Sequence, residues 1–116
     1  MRLRKEIDHR EQREKEDGID IVKLATVSDA LGHPLRLEIF RYIMRSNKKL
    51  VAVCNKDIVE NFDYAQATIS QHMNKLTHSG LVERKNIGRY SYYYANLGIL
   101  TRYVDSVRKF SLDKHD

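Results

Sequence analysis

Few side chains in this 116-residue chain could do chemistry: one cysteine (Cys54), five histidines, and an uncharged polar run, Gln66-Ala67-Thr68-Ile69-Ser70-Gln71-His72-Met73-Asn74-Lys75-Leu76. Catalysis has little to work with. No glycine-rich phosphate loop, no His-Glu-x-x-His motif and no second thiol occur, and the carboxylates are scattered or paired with basic residues. The chain is expected to be no enzyme and to carry no cofactor. The polar run is more specific. Each helical residue advances about 100°, so placing Ile69 inward also turns Met73 and Leu76 inward, within about 40° of it. The opposite face then presents Ala67, Gln71, Asn74 and His78, with Thr68, Ser70 and Lys75 at its flanks, and no acid occurs from Gln66 to Leu81. A solvated face usually carries Glu and Lys, which are stronger helix formers than Ser, Thr or Asn. Short donors and acceptors suit a DNA major groove instead. Gln and Asn pair bidentately with adenine, Ser and Thr reach either base type, and Ala touches a thymine methyl.

Charge agrees with an anionic partner. The net charge is +5, yet residues 1–20 hold six Lys/Arg against seven Asp/Glu, which leaves +6 for the rest. Segment 66–95 sets Lys75, Arg84, Lys85 and Arg89 against Glu83 alone. A basic body of this kind points to nucleic acid. No apolar run approaches the roughly 18 residues of a membrane span, and the charged N-terminus lacks the apolar centre of a secretory signal. A single cysteine excludes an internal disulfide and suits a reducing compartment. A cytoplasmic location and no membrane partner are expected.

The polar helix needs neighbours to hold it. Residues 1–18 are charged almost throughout and form either a frayed helix extension or a tail, followed by one domain over 19–112 and a short tail over 113–116. Ile21, Leu24, Ala25, Ser28 and Leu31 predict a first helix ending at Gly32. Pro34 suits the first turn of a second, with Leu35, Ile39, Phe40 and Ile43 inward and a stop near Ser46-Asn47. After the apolar run 50–53, Asn55 is the expected N-cap of a third helix to about Phe62, with Ile58, Val59 and Phe62 inward. Asp63-Tyr64 turns into the polar helix, which ends at Gly80. Leu81–Ala95 reads as two strands around Asn86-Ile87-Gly88, with Tyr93 in the core. Asn96 caps a last helix.

The order of elements is mainly α with a small β-hairpin wing: a winged helix-turn-helix, α-α-α-α-β-β-α, in which the polar helix enters the major groove and Arg84, Lys85 and Arg89 fall around the hairpin tip, on phosphate. The last helix repeats Leu100, Tyr103, Val104, Val107 and Phe110 on one stripe, and the first offers Leu24, Ala25 and Leu31. A two-fold dimer would bury both. The DNA-binding candidates are therefore Gln66, Ala67, Thr68, Ser70, Gln71, Asn74, Lys75, Arg84, Lys85 and Arg89.

Segments 31–44 (LGHPLRLEIFRYIM), 66–85 (QATISQHMNKLTHSGLVERK) and 88–96 (GRYSYYYAN) resemble the ArsR/SmtB winged-helix repressors, over roughly residues 20–110. The resemblance implies a homodimeric repressor that leaves a pseudo-palindromic operator when an effector arrives. Ala65 stands where the family often has a capping Ser, which predicts a weaker helix start.

The resemblance also implies metal sites, which this sequence does not keep. One family site uses Cys-x-Cys at the third helix. Cys54 holds the first position and Lys56 the second, and an ammonium cannot replace a thiolate. The other falls on Leu97, Ile99, Phe110 and Asp113, three of them apolar. Metal control at these sites is not expected, and the effector is left unnamed. A site from His9, His115 and the terminal acids has nothing specific behind it. His72, about 60° off the inward direction, is better explained by packing or a hydrogen bond at the core edge than by base reading. The tyrosines 90, 92, 93 and 94 are better explained by strand packing than as a stacking platform. Two alternatives stand beside the DNA-binding repressor: a thiol sensor using Cys54, and a winged-helix module for a protein or RNA partner.

Overall fold

The computed structural model describes residues 20–112. The segment 1–18, its alternatives of helix or tail, and residues 113–116 with Asp113 and His115 lie outside the described residues.

Local side-chain caps start three of the helices. α1 (Ile21–Leu31) begins at Asp20, whose carboxylate accepts the Lys23 N–H at 3.0 Å, and is capped by Gly32. α2 (Pro34–Lys48) starts with Pro34 in its first turn and with His33 Nδ1 accepting from the Leu35 N–H at 3.1 Å. A short strand β1 (Val53–Cys54) leads into α3 (Asn55–Phe62). The polar helix is α4 (Gln66–His78), followed by β2 (Val82–Ile87), β3 (Tyr90–Ala95) and α5 (Leu97–Ser111). Asn96 caps α5 by accepting from the Ile99 N–H at 3.2 Å.

The sheet has three strands rather than the expected two, in the order β1-β3-β2 and antiparallel throughout. Val53 pairs with Tyr93 and Cys54 with Tyr92. Of the apolar run 50–53 only Val53 is buried, while Leu50 is 95% exposed at φ +63. Strand pairing also moves the cap of α3. Cys54 is the N-cap residue and its N–H donates to Asp57 Oδ2 at 3.0 Å, while the expected cap, Asn55, accepts from the Ser91 N–H at 3.4 Å.

The core joins Leu35, Ile39, Phe40 and Ile43 of α2 to Ile69, Met73 and Leu76 of α4, with Ile58, Val53, Leu81, Val82 and Tyr93 closing it. Burying each large aliphatic side chain stabilises by about 1.5–3 kcal/mol. On α1 the expected stripe is not the buried one. Val27 and Ala30 face the core, while Ile21 and Ala25 stay exposed and Leu24 and Leu31 are half-buried. The helix carries two apolar stripes, and packing against α2 and α4 selects the second. α5 has no fully buried residue. Ile99, Leu100 and Tyr103 lean on the core, and Leu97, Val104, Val107 and Phe110 are exposed.

Candidate nucleic-acid interface

α4 is held from one side and from its C-terminal end. Ile69, Met73 and Leu76 anchor its inner face. At its start Ala65 makes no side-chain cap bond, the weak beginning expected from the missing Ser. Its end is better secured. Ser79, fully buried, donates through Oγ to Leu76 O at 2.7 Å and accepts from the Leu81 N–H at 3.2 Å. Lys23 of α1 donates to Ser79 O at 2.9 Å, which sets a cation at the negative end of the helix dipole. Gly80 then turns the chain at φ +85, a conformation that side chains with a Cβ rarely adopt.

The outer face is as the helical rotation requires. Gln66, Ala67, Ser70, Gln71, Asn74, Lys75 and His78 are exposed and Thr68 is half-buried at the flank. Lys75 is not a free cation. Its Nζ lies 2.8 Å from Asp29 Oδ2 at the end of α1, and this hydrogen bond, followed by the charge of Lys75, holds the Asp29 carboxyl below its ordinary range.

His72 sits at the core edge in a network the sequence does not announce. Arg36 of α2 donates from Nε to Ala30 O at 2.8 Å, from Nη2 to Asp29 O at 3.0 Å, and from Nη1 to His72 Nδ1 at 3.1 Å. A guanidinium only donates, so Nδ1 of His72 accepts and the ring proton is on Nε2. The His33 ring lies 4.6 Å away, centroid to centroid. Burial, then the neighbouring His33 and Arg36, push the His72 pKa below its ordinary value. One guanidinium thus ties the end of α1 to the middle of α4. A lone Arg in a helix usually reads as a solvated residue, and no spacing signal distinguishes this one.

The hairpin differs from the expected arrangement in one respect. Its two-residue loop is Gly88-Arg89, between the paired Ile87 and Tyr90, with Gly88 at φ +63. Arg89 is at the tip. Arg84 and Lys85 are not: they pair with Tyr93 and Tyr92 in mid-strand. Paired residues share a sheet face, so Arg84 is on the core side of the sheet and Lys85 on the outer side, where its Nζ stands 5.3 Å from the centroid of the Tyr94 ring. Tyr93 is buried, and Tyr90 and Tyr92 lie 6.5 Å apart on the outer side. Glu83, the one acid of 66–95, accepts from Asn96 Nδ2 at 3.1 Å.

Cys54 is half-buried on the outer side of the sheet beside Tyr92. Lys56 lies 3.9 Å from Glu60 on the exposed side of α3. Among the described residues, no three His, Cys, Asp or Glu side chains are grouped to hold a metal ion, and no helix is long and apolar enough to cross a membrane.

A short helix, a turn, a second helix with an acid-free outer face, and a hairpin with an arginine at its tip define a winged helix-turn-helix protein. The family model for the bacterial regulatory proteins of the arsR family matches residues 33–84. An HTH-type transcriptional regulator of Methanocaldococcus jannaschii is 31% identical over 72 residues, 62% of this chain and 76% of that protein. The arsenical resistance operon repressor of Staphylococcus aureus is 28% identical over 85 residues, 73% of this chain and 77% of that one. An ArsR-like transcriptional regulator from Rhodococcus sp. RHA1 has the same fold, with a TM-score of 0.67 at 24% identity over 78% of this chain and 80% of that one. The chain belongs to the arsR family: it is a DNA-binding transcriptional regulator and not an enzyme.

Proposed function

We propose that this regulator is a cytoplasmic homodimeric repressor that reads a pseudo-palindromic operator with α4 and grips the flanking backbone with its hairpin. The acid-free outer face of α4, with Gln71 at its centre, carries this reading. Gln66, Ala67, Thr68, Ser70, Gln71 and Asn74 meet base edges and nearby phosphates. Arg89 meets phosphate from the tip, Arg84 and Lys85 contribute from the strand, and Lys75 does so only after leaving Asp29. The domain over 19–112 is one DNA-binding and dimerising unit.

Dimerisation uses Leu24 and Leu31 of α1 with Leu100, Tyr103, Val104, Val107 and Phe110 of α5. The support is the exposed stripe: Val104, Val107 and Phe110 are 49%, 39% and 62% exposed in one chain, and a contiguous apolar surface of this kind marks an interaction site. Repression is proposed from the likeness to the Staphylococcus aureus repressor. Metal does not control the protein at the usual family sites, since Lys56, Leu97, Ile99 and Phe110 cannot ligate. The deciding experiment is selection of bound duplexes from a random DNA pool, followed by affinity for the selected duplex and for RNA of the same sequence at matched salt. Recovery of an inverted repeat that is bound more tightly than the RNA supports the reading. Equal affinity for both rejects it.

A further inference from the structure

We propose that the groove between α1 and α5 is an effector site for a small amphipathic organic anion, and that occupancy unseats the C-terminal end of α4. The effector role rests on the DNA-binding reading above; the site itself does not. The groove has a volume of about 370 Å³, within the range of small-molecule pockets. Leu24, Val27 and Ile99 give it an apolar floor, and Lys23, Arg102 and Lys109 bring three cations to its walls. Two acids also line it. Asp20, which also accepts the Lys23 N–H, and Asp105 are set against those three cations, which leaves the lining one positive charge in excess. An apolar body with one carboxylate or sulfonate complements this arrangement.

The groove shares Leu24 and Tyr103 with the proposed dimer surface, and its charged wall faces away from that surface. By about 100° per residue, Arg102, Ser106 and Lys109 point about 130° away from the mean direction of Leu100, Tyr103, Val104, Val107 and Phe110, and Ile99 lies between the two. A second copy seated on Val104 and Val107 would leave Arg102, Ser106 and Lys109 turned toward α1 and would border the groove at Leu24 and Tyr103.

Two groove residues also hold the DNA-reading helix. Lys23 Nζ donates to Ser79 O at 2.9 Å, at the end of α4. Ile99 stands 3.7 and 3.8 Å, through two side-chain carbons, from where a Cβ on Gly80 would lie. A carboxylate beside Lys23 is a stronger acceptor than the Ser79 carbonyl and would draw the ammonium away from it. A body resting on Ile99 would press on the Gly80 turn. Both movements act on the turn that ends α4.

The test uses the full chain with 1-anilinonaphthalene-8-sulfonate as probe and octanoate as competitor. The probe should bind saturably at one site per chain, octanoate should displace it, and Arg102→Gln should weaken it at least about fivefold. Bound probe should lower affinity for the selected duplex at least about fivefold, the lower end of ordinary allosteric coupling. Arg102→Gln without probe should keep that affinity within about twofold, and in Lys23→Met the affinity should no longer respond to probe. No saturable binding below about 1 mM, the weak limit of a specific site, or binding indifferent to Arg102→Gln, overturns the site. Loss of probe binding as protein concentration rises means that a second copy covers the groove, and also overturns it. Probe bound with unchanged DNA affinity overturns the effector role. A chain that binds no duplex at all would sink the DNA-binding reading, while the fluorescence titration still decides the site.

Discussion

Lys75 of α4 and Asp29 of α1 meet at 2.8 Å, Nζ to Oδ2, with both side chains more than half exposed. The only Lys or Arg on α4 is therefore engaged by an acid before any DNA arrives. An exposed pair of this kind is screened by water and salt and adds little stability; its effect is on what Lys75 can reach. Asp29→Asn should free the ammonium for phosphate. Affinity for specific and random duplexes should rise alike, with the salt dependence steeper by about one unit per subunit. An unchanged slope would mean that Lys75 meets no phosphate.

The bond from Arg36 Nη1 to His72 Nδ1 requires a neutral imidazole. Burial, then His33 and Arg36, lower the His72 pKa in the folded protein from 6.5. Well above 6.5 the ring is neutral in both folded and unfolded states and adds no pH dependence. As pH falls through 6.5 the unfolded chain takes a proton that the folded ring resists, so stability falls until pH reaches the lowered folded value. The urea midpoint should decrease from about pH 7.5 to about pH 5.5, and His72→Asn, whose amide oxygen can still accept from Arg36, should shrink that decrease. Equal decreases in both proteins would remove His72 from the account.

Gln71 and Arg89 should separate by kind of interaction. Gln71→Ala should cost about 1–3 kcal/mol at the selected site and relax preference at one or two base pairs. Arg89→Ala should weaken specific and random DNA alike and lower the salt slope by about one unit for each phosphate that the arginine neutralises. Uniform weakening by Gln71→Ala, with a reduced slope, would show that α4 is not the reader.

Val104 lies mid-stripe on α5 and is 49% exposed. A buried unpaired carboxylate is strongly unfavourable, so Val104→Asp should give monomers that bind DNA poorly. Sedimentation of the unaltered protein as a monomer at micromolar concentration would remove the dimer.

Zinc should be without effect. Adding or chelating it should leave operator affinity within about threefold, below the 1–3 kcal/mol of most allosteric couplings. Release of DNA by a stoichiometric zinc complex would reverse this conclusion.

Much of the fold follows from local rules that act within one element. Ile69, Met73 and Leu76 share a face because of helical rotation alone, and all three are buried. Asn96 caps α5 because its carboxamide reaches the Ile99 N–H three residues on. Tyr93 is buried because strand alternation turns it to the face opposite Tyr92 and Tyr94. Each of these is a short-range relation, so spacing in the chain suffices to read it.

What spacing could not decide was always a choice between partners far apart in the chain. α1 carries two apolar stripes, and α2 and α4 bury Val27 and Ala30 rather than the stripe with the longer repeat. The pairing of Val53-Cys54 with Tyr93-Tyr92 makes a third strand from two residues, too few to show a period. The same pairing moves the α3 cap from Asn55 to Cys54. The β2–β3 register places Arg84 and Lys85 in mid-strand and leaves only Arg89 at the tip. Asp29 and Lys75 are 46 positions apart, Arg36 and His72 are 36, and Lys23 and Ser79 are 56. Charge and hydrogen-bonding capacity are properties of single residues and can be read in order. Which donor meets which acceptor is settled only when packing of the shared core brings α1, α2 and α4 close enough for their polar groups to bond, and no spacing within one helix encodes that approach.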